Sequence, residues 1–182
     1  ASATLEVGTT QQFTATGYDA EGNEITGLSF TWSVEAGGGS IDENGLFTAG
    51  TVAGTFSNTV KAEATQDGIT RAGYASVTVN PGPLDHIVVS PSTASVTTGG
   101  SQQFTARGYD QYDNEISGLT FTWSVVSGPG SIDQNGLFTA GTETGTATVQ
   151  AQADSVTATA TVTVSAPAAA PSYPSYPRPV AE

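Results

Sequence analysis

The side chains in this chain best placed to do chemistry are carboxylates gathered in two short loops. Asp19-Ala20-Glu21-Gly22-Asn23-Glu24 and Asp110-Gln111-Tyr112-Asp113-Asn114-Glu115 offer hard oxygen ligands at alternate positions, which is how Ca²⁺ is bound. The candidate calcium ligands are therefore Asp19, Glu21, Asn23, Asp110, Asp113 and Glu115. Both loops lack the twelve-residue frame that ends on a bidentate Glu, and the second carries Asp113 where the first has Gly22. Asp and Asn are also what a tight turn between strands uses, because their side chains bond the backbone two residues on. Turn chemistry is the favoured reading, and calcium is the one cofactor left open.

Catalysis finds less support. General acid–base pairs could be drawn from the 17 Asp and Glu residues, but no spacing singles out one pair. The single histidine, His86, sits in the β-branched run Leu84-Asp85-His86-Ile87-Val88-Val89 and reads as a strand residue rather than a base. The chain has no Cys, which excludes disulfides, a thiolate nucleophile and thiol metal sites. A Lys–Asn crosslink would need Lys61, and the matching position later in the chain is Gln150. The expectation is a non-enzymatic protein with no catalytic residue.

Composition narrows the partners. A net charge of -13, with only Lys61, Arg71, Arg107 and Arg178 as bases, argues against nucleic acid and anionic membranes. No apolar run approaches the roughly 18–20 residues that span a bilayer. The chain begins without Met and shows no signal peptide, so it is expected to be a processed form or a fragment. Val, Ala, Ile, Thr and Gly dominate, which favours strands and turns over helices.

The elements that must position these loops come from an internal repeat. Residues 11–50 align without a gap on residues 102–141, and three quarters of those 40 positions are identical. The period is about 90 residues, near the size of one immunoglobulin-like sandwich. Within each copy Phe30, Trp32 and Val34, and likewise Phe121, Trp123 and Val125, put all the bulk on one face of a strand. That alternation assigns Trp32 and Trp123 to the core rather than to sugar stacking. Tyr18, Tyr109 and Tyr112 fall on the opposite phase as the exposed-aromatic candidates. Asn44-Gly45 and Asn135-Gly136 mark tight turns. The predicted fold class is all-β: two tandem immunoglobulin-like β-sandwiches, residues 1–80 and 81–165, followed by a Pro/Tyr-rich extended tail over 166–182.

The run of Gln-Gln-Phe-Thr-Ala, Phe-Thr-Trp-Ser-Val and Asn-Gly-Leu-Phe-Thr-Ala-Gly in both copies resembles the bacterial immunoglobulin-like (Big) family, group two in particular. The resemblance covers nearly all of residues 1–165 and implies an extracellular, cell-surface protein that acts as spacer or adhesive module, with no catalytic residues to carry over.

The ends differ between copies. Copy two opens on Leu84–Pro91, whereas copy one begins at the equivalent of Ser92 and so lacks its first strand. A sandwich without an edge strand exposes unpaired backbone and part of its core. Either the chain is a cut fragment of a longer array, or a second chain supplies the strand, in which case head-to-tail addition would give a filament. The Pro-rich tail favours polyproline II and is expected to pack on a neighbouring subunit. Candidate interface residues are Leu5 and Val7 in copy one and Tyr173, Tyr176 and Arg178 in the tail. The expected function is a subunit of a surface filament or array, partnered with its own copies or neighbouring repeats. The alternatives are an adhesin for a cell-surface glycan, or a spacer repeat from a larger secreted protein.

Overall fold

The computed structural model describes residues 1–169, and among these there is no helix. Copy one runs β1 (Ser2–Glu6), β2 (Thr10–Gln12), β3 (Gly17–Tyr18), β4 (Glu24–Ile25), β5 (Thr31–Val34), β6 (Gly39–Ile41), β7 (Leu46–Ala49), β8 (Gly54–Gln66) and β9 (Ile69–Asn80). Copy two begins with one strand more, β10 (His86–Ser90). It then repeats the series as β11 (Thr93–Thr97), β12 (Ser101–Gln103), β13 (Thr105–Tyr109), β14 (Glu115–Ile116), β15 (Thr122–Ser127), β16 (Gly130–Ile132), β17 (Leu137–Ala140), β18 (Gly145–Ala153) and β19 (Val156–Ser165).

The sheets repeat as the sequence does. Each copy has a four-stranded sheet, β1-β9-β8-β5 or β11-β19-β18-β15, and a three-stranded one, β2-β7-β6 or β12-β17-β16. Registers match as well: Gln11 faces Phe47 as Gln102 faces Phe138, and Trp32 faces Ala62 as Trp123 faces Ala151. The first strand of each large sheet, β1 or β11, lies parallel to its neighbour, and the other registered pairs are antiparallel.

Alternation fills the cores. Along β18, Val149, Ala151 and Ala153 are buried while Gln152 is exposed, and Val162 and Val164 of β19 face the same way. In copy one Phe47, Val60, Val77 and Val79 form the corresponding core with Leu5 and Ala75. The Asn-Gly turns close as the sequence expects. Asp42 Oδ1 accepts hydrogen bonds from the N–H groups of Asn44 and Leu46, Asp133 does the same for Asn135 and Leu137, and Gly45 and Gly136 supply the left-handed φ. The extra residues of copy one become a bulge between Phe56 and Val60 and a longer β8–β9 hairpin. Thr59 at the bulge is fully buried and donates its hydroxyl to the Gly37 carbonyl.

Through-space packing divides the described chain into two compact units. One is Ala1–Val88 with Arg107–Thr120; the other is Val89–Ala106 with the described residues from Phe121 onward.

Candidate functional site

The copies part company at their third sheet. In copy two it has three strands, β10-β13-β14, whereas in copy one β3 and β4 pair alone. The Asp85 N–H donates to the Tyr109 carbonyl at 2.8 Å, and the Thr105 hydroxyl donates to the Ser90 carbonyl at 3.4 Å. Residue 85 thus sits opposite 109, and Ser90 lies near Thr105 at the other end, so β10 runs antiparallel to β13. Its sequence alternates accordingly: Ile87 and Val89 are buried and Val88 is exposed. Leu84 lies over Gly108, where an added Cβ would come within 2.6 Å of Leu84 Cδ1. The His86 ring stacks on Tyr109 with centroids 5.4 Å apart. In this copy Phe104 is 0% exposed and Trp123 7%.

Copy one carries the same floor without the cover. Phe13, Ala15, Leu28, Phe30 and Trp32 are only half-buried, and Tyr18, the counterpart of Tyr109, is 63% exposed. A Cβ on Gly17 would meet Leu28 alone, since no counterpart of Leu84 stands above it. The result is an open groove of about 810 Å³ lined by Phe13, Ala15, Leu28, Phe30, Trp32 and Ala62 among others. Its floor is apolar and, among the described residues, its β3 edge has no further strand partner, a combination that suits an extended segment. Burying one Ile or Val there stabilises by about 1.5–3 kcal/mol.

The acidic loops are turns in both copies. Asp19 Oδ1 accepts from the N–H groups of Glu21 and Asn23, and Oδ2 accepts from the Asn23 amide. Hydrogen bonds from the Asn23 side chain and backbone hold the Asp19 carboxyl below its ordinary pKa. Asp110 repeats the turn, with Tyr112 N–H, Asn114 N–H and the Asn114 amide as donors, and adds the Gly82 N–H at 2.8 Å. It is 0% exposed. Burial by itself would raise its pKa, but the Asn114 side chain and the backbone N–H groups of Gly82, Asn114 and Tyr112 outweigh that and bring it to about 2. Asp113 stands at φ 64° where Gly22 stands at 88°, so the Gly-to-Asp exchange keeps one turn conformation. Glu115 pairs with Arg107 at 2.8 Å, and Glu21 is exposed. Within the first compact unit the Asn114 side chain also donates to the Thr51 carbonyl and accepts from the Ala53 N–H. Among the described residues, no three His, Asp or Glu side chains come together as a metal-ligand cluster.

Of the candidate interface residues, Leu5 is buried in its own core because β1 pairs with β9 and turns Leu5 inward, and Val7 packs beside it. Tyr173, Tyr176 and Arg178, and the tail contact expected of them, lie outside the described residues. Reading the sequence located the open strand position but not the residues lining it. Their signal was available: they are the counterparts of residues that β10 covers in copy two. His86 is the first residue of β10, as its β-branched surroundings suggest. Lys61 pairs with Glu63 at 2.6 Å, and that hydrogen bond raises its pKa.

Residues 83–164 match the family described as bacterial Ig-like domain (group 2). Copy two is thus similar to bacterial Ig-like domains over nearly its whole length. Copy one repeats its pattern from the second strand onward. No curated protein matches the chain. Among solved structures, Drosophila N-cadherin EC1-4 is similar at 14% identity and a TM-score of 0.56, covering 91% of this chain and 47% of that one. Mouse cadherin-23 EC22-24 is similar at 19% identity and a TM-score of 0.53, covering 89% and 61%. Surface layer protein SbsC, domains 1-6, is 22% identical over 86% of this chain with a TM-score of 0.45, and the chain spans 23% of its length. At these identities the cadherins establish likeness of fold: tandem all-β sandwiches.

Proposed function

We propose that this chain is a structural module of an extracellular surface array or filament, in which a β-strand beside β3 completes copy one as β10 completes copy two. The observation that carries the reading is the open groove beside β3, in a copy whose twin fills the same position with β10. A protein surface rarely leaves an apolar floor beside an unpaired strand edge unless something covers it. An acidic surface at net charge -13 keeps such modules soluble and apart until specific contacts form. The lone histidine is engaged in stacking, and the buried Asp110 is spent on turn hydrogen bonds, which supports a structural rather than catalytic role.

Electron microscopy of the native cell-surface material tests this. Fibres or a lattice whose repeat equals one or two module lengths are the expected result. A dispersed monomer that retains a glycan would overturn it in favour of adhesion, for which the exposed Tyr18, Tyr74 and Tyr112 offer stacking faces.

A further inference from the structure

The buried Asp110 and its neighbour Asn114 reach beyond their own repeat. Asp110 Oδ1 accepts from the Tyr112 and Asn114 N–H groups, and both carboxylate oxygens accept from the Asn114 amide. That network holds the Asn114 amide edge-on to a loop of copy one. Its nitrogen donates to the Thr51 carbonyl at 2.8 Å, and its oxygen accepts from the Ala53 N–H at 2.8 Å. The partners also fix which way round the amide lies, since its nitrogen faces acceptors and its oxygen a donor. The side chain therefore pairs with the loop in the manner of a peptide group.

The linker supplies a third attachment. Of Pro81-Gly82-Pro83 only Gly82 has a backbone N–H, and the two prolines hold their own φ fixed. That single donor goes to Asp110 Oδ2 at 2.8 Å. Gly82 is also tightly seated: a Cβ there would lie 3.3 Å from Val7 Cγ2 and 3.7 Å from Asp110 Oδ2. All these residues belong to the first compact unit, in which Arg107–Thr120 packs with Ala1–Val88.

We infer that the Thr51–Ala53 loop and the Gly82 linker form a receptor surface for an Asp-(x)-(x)-(x)-Asn hairpin, through which the β13–β14 hairpin and copy one stabilise each other. The Gly82 bond to the carboxylate is charge-assisted, the stronger kind, and the bidentate Asn114 pair gives the contact its direction. A carboxylate in place of the Asn114 amide could not donate to the Thr51 carbonyl, so the fifth residue of the hairpin is specified as an amide. The coupling is reciprocal, because whatever the hairpin contributes to the loop the loop contributes to the hairpin. The joint lies within the single chain, so it holds whether or not the chain assembles.

Hydrogen exchange followed by NMR on the full chain tests this. Asn114→Ala should speed exchange of the Ala53 amide at least about tenfold, the scale of losing two ordinary hydrogen bonds. The Gly82 amide should quicken by a smaller factor, since Asp110 loses the amide that orients it. Ala53→Pro removes one donor on copy one and should quicken the Tyr112 and Asn114 amides across the joint. On the Gly82 amide, the two changes together should lose less than the product of their separate factors. Asn23→Ala, in the counterpart hairpin of copy one, should leave the Ala53 and Gly82 amides unchanged. Should a variant fail to fold, the wild type still decides: a through-hydrogen-bond scalar coupling from the Gly82 nitrogen to the Asp110 carboxyl carbon is expected. Unchanged Ala53 exchange in Asn114→Ala, an equal effect of Asn23→Ala, factors that simply multiply, or absence of that scalar coupling would each overturn the inference.

Discussion

The two copies are an internal experiment in what a single edge strand does. Trp32 and Trp123 occupy the same Phe-Thr-Trp-Ser-Val segment and pair with equivalent alanines, Ala62 and Ala151. Trp123 is nevertheless buried, in the copy that has β10, and Trp32 is only half-buried beside an open groove. Phe104 and Phe13, Tyr109 and Tyr18, and Gly108 and Gly17 divide the same way. The lesson is that burial in a sandwich belongs to the set of strands around a residue and not to the residue's own segment.

That contrast can be broken most strongly at the tryptophans. Trp123→Ala should destabilise by about 3–5 kcal/mol, the range for truncating a buried aromatic, and Trp32→Ala should cost markedly less; paired urea denaturation curves measure both. Equal losses would mean that the groove is closed in solution. Next comes the strand itself. Ile87→Ala should cost about 2–4 kcal/mol and, read by hydrogen exchange, should loosen the Thr105–Tyr109 amides toward the protection of their copy-one counterparts. Asp110→Ala follows. It leaves partly buried N–H donors on Gly82, Tyr112 and Asn114 without their acceptor, at about 1–3 kcal/mol, whereas Asp19→Ala at the exposed twin should change little.

The same pair differs in its response to acid. The Asp110 pKa of about 2 lies below its ordinary value of 3.8. Its contribution to stability is therefore complete above the ordinary value and is lost as the pH falls through the folded one. Thermal melts between pH 5 and pH 2 should show that loss in the wild type and a smaller one in Asp110→Asn. The smallest effect expected is at Val88, which faces solvent on β10: Val88→Ala should shift stability by less than about 0.5 kcal/mol, and a larger loss would mean that the outer face of this strand is covered.

Much of this architecture is legible in the residues. Alternating bulk located β5 and β15, Asn-Gly located the β6–β7 and β16–β17 turns, and the repeat placed equivalent strands in equivalent registers. The missing first strand could be read because copy two supplied its own Leu84–Ser90 for comparison. The lining of the groove was less legible, since Phe13, Leu28 and Trp32 have the spacing of ordinary core residues and nothing local marks them as uncovered. Leu5 shows the converse. Its place near the chain start suggested an interface, yet parallel pairing with β9 turns it into the core.

By itself the sequence determined the all-β class, the twofold repeat, the strand phases and the surplus of acid over base. Those properties are local or additive: side chains alternate with a period of two along a strand, and charges sum. Only the tertiary structure decided which of two identical Gly-Tyr-Asp turns is buried and which of two identical tryptophan strands is exposed. Each outcome goes with a partner that only copy two has, the Gly82 N–H for Asp110 and β10 beside β13 in the sheet. Copy one carries the same residues without those partners, and its open groove is the consequence.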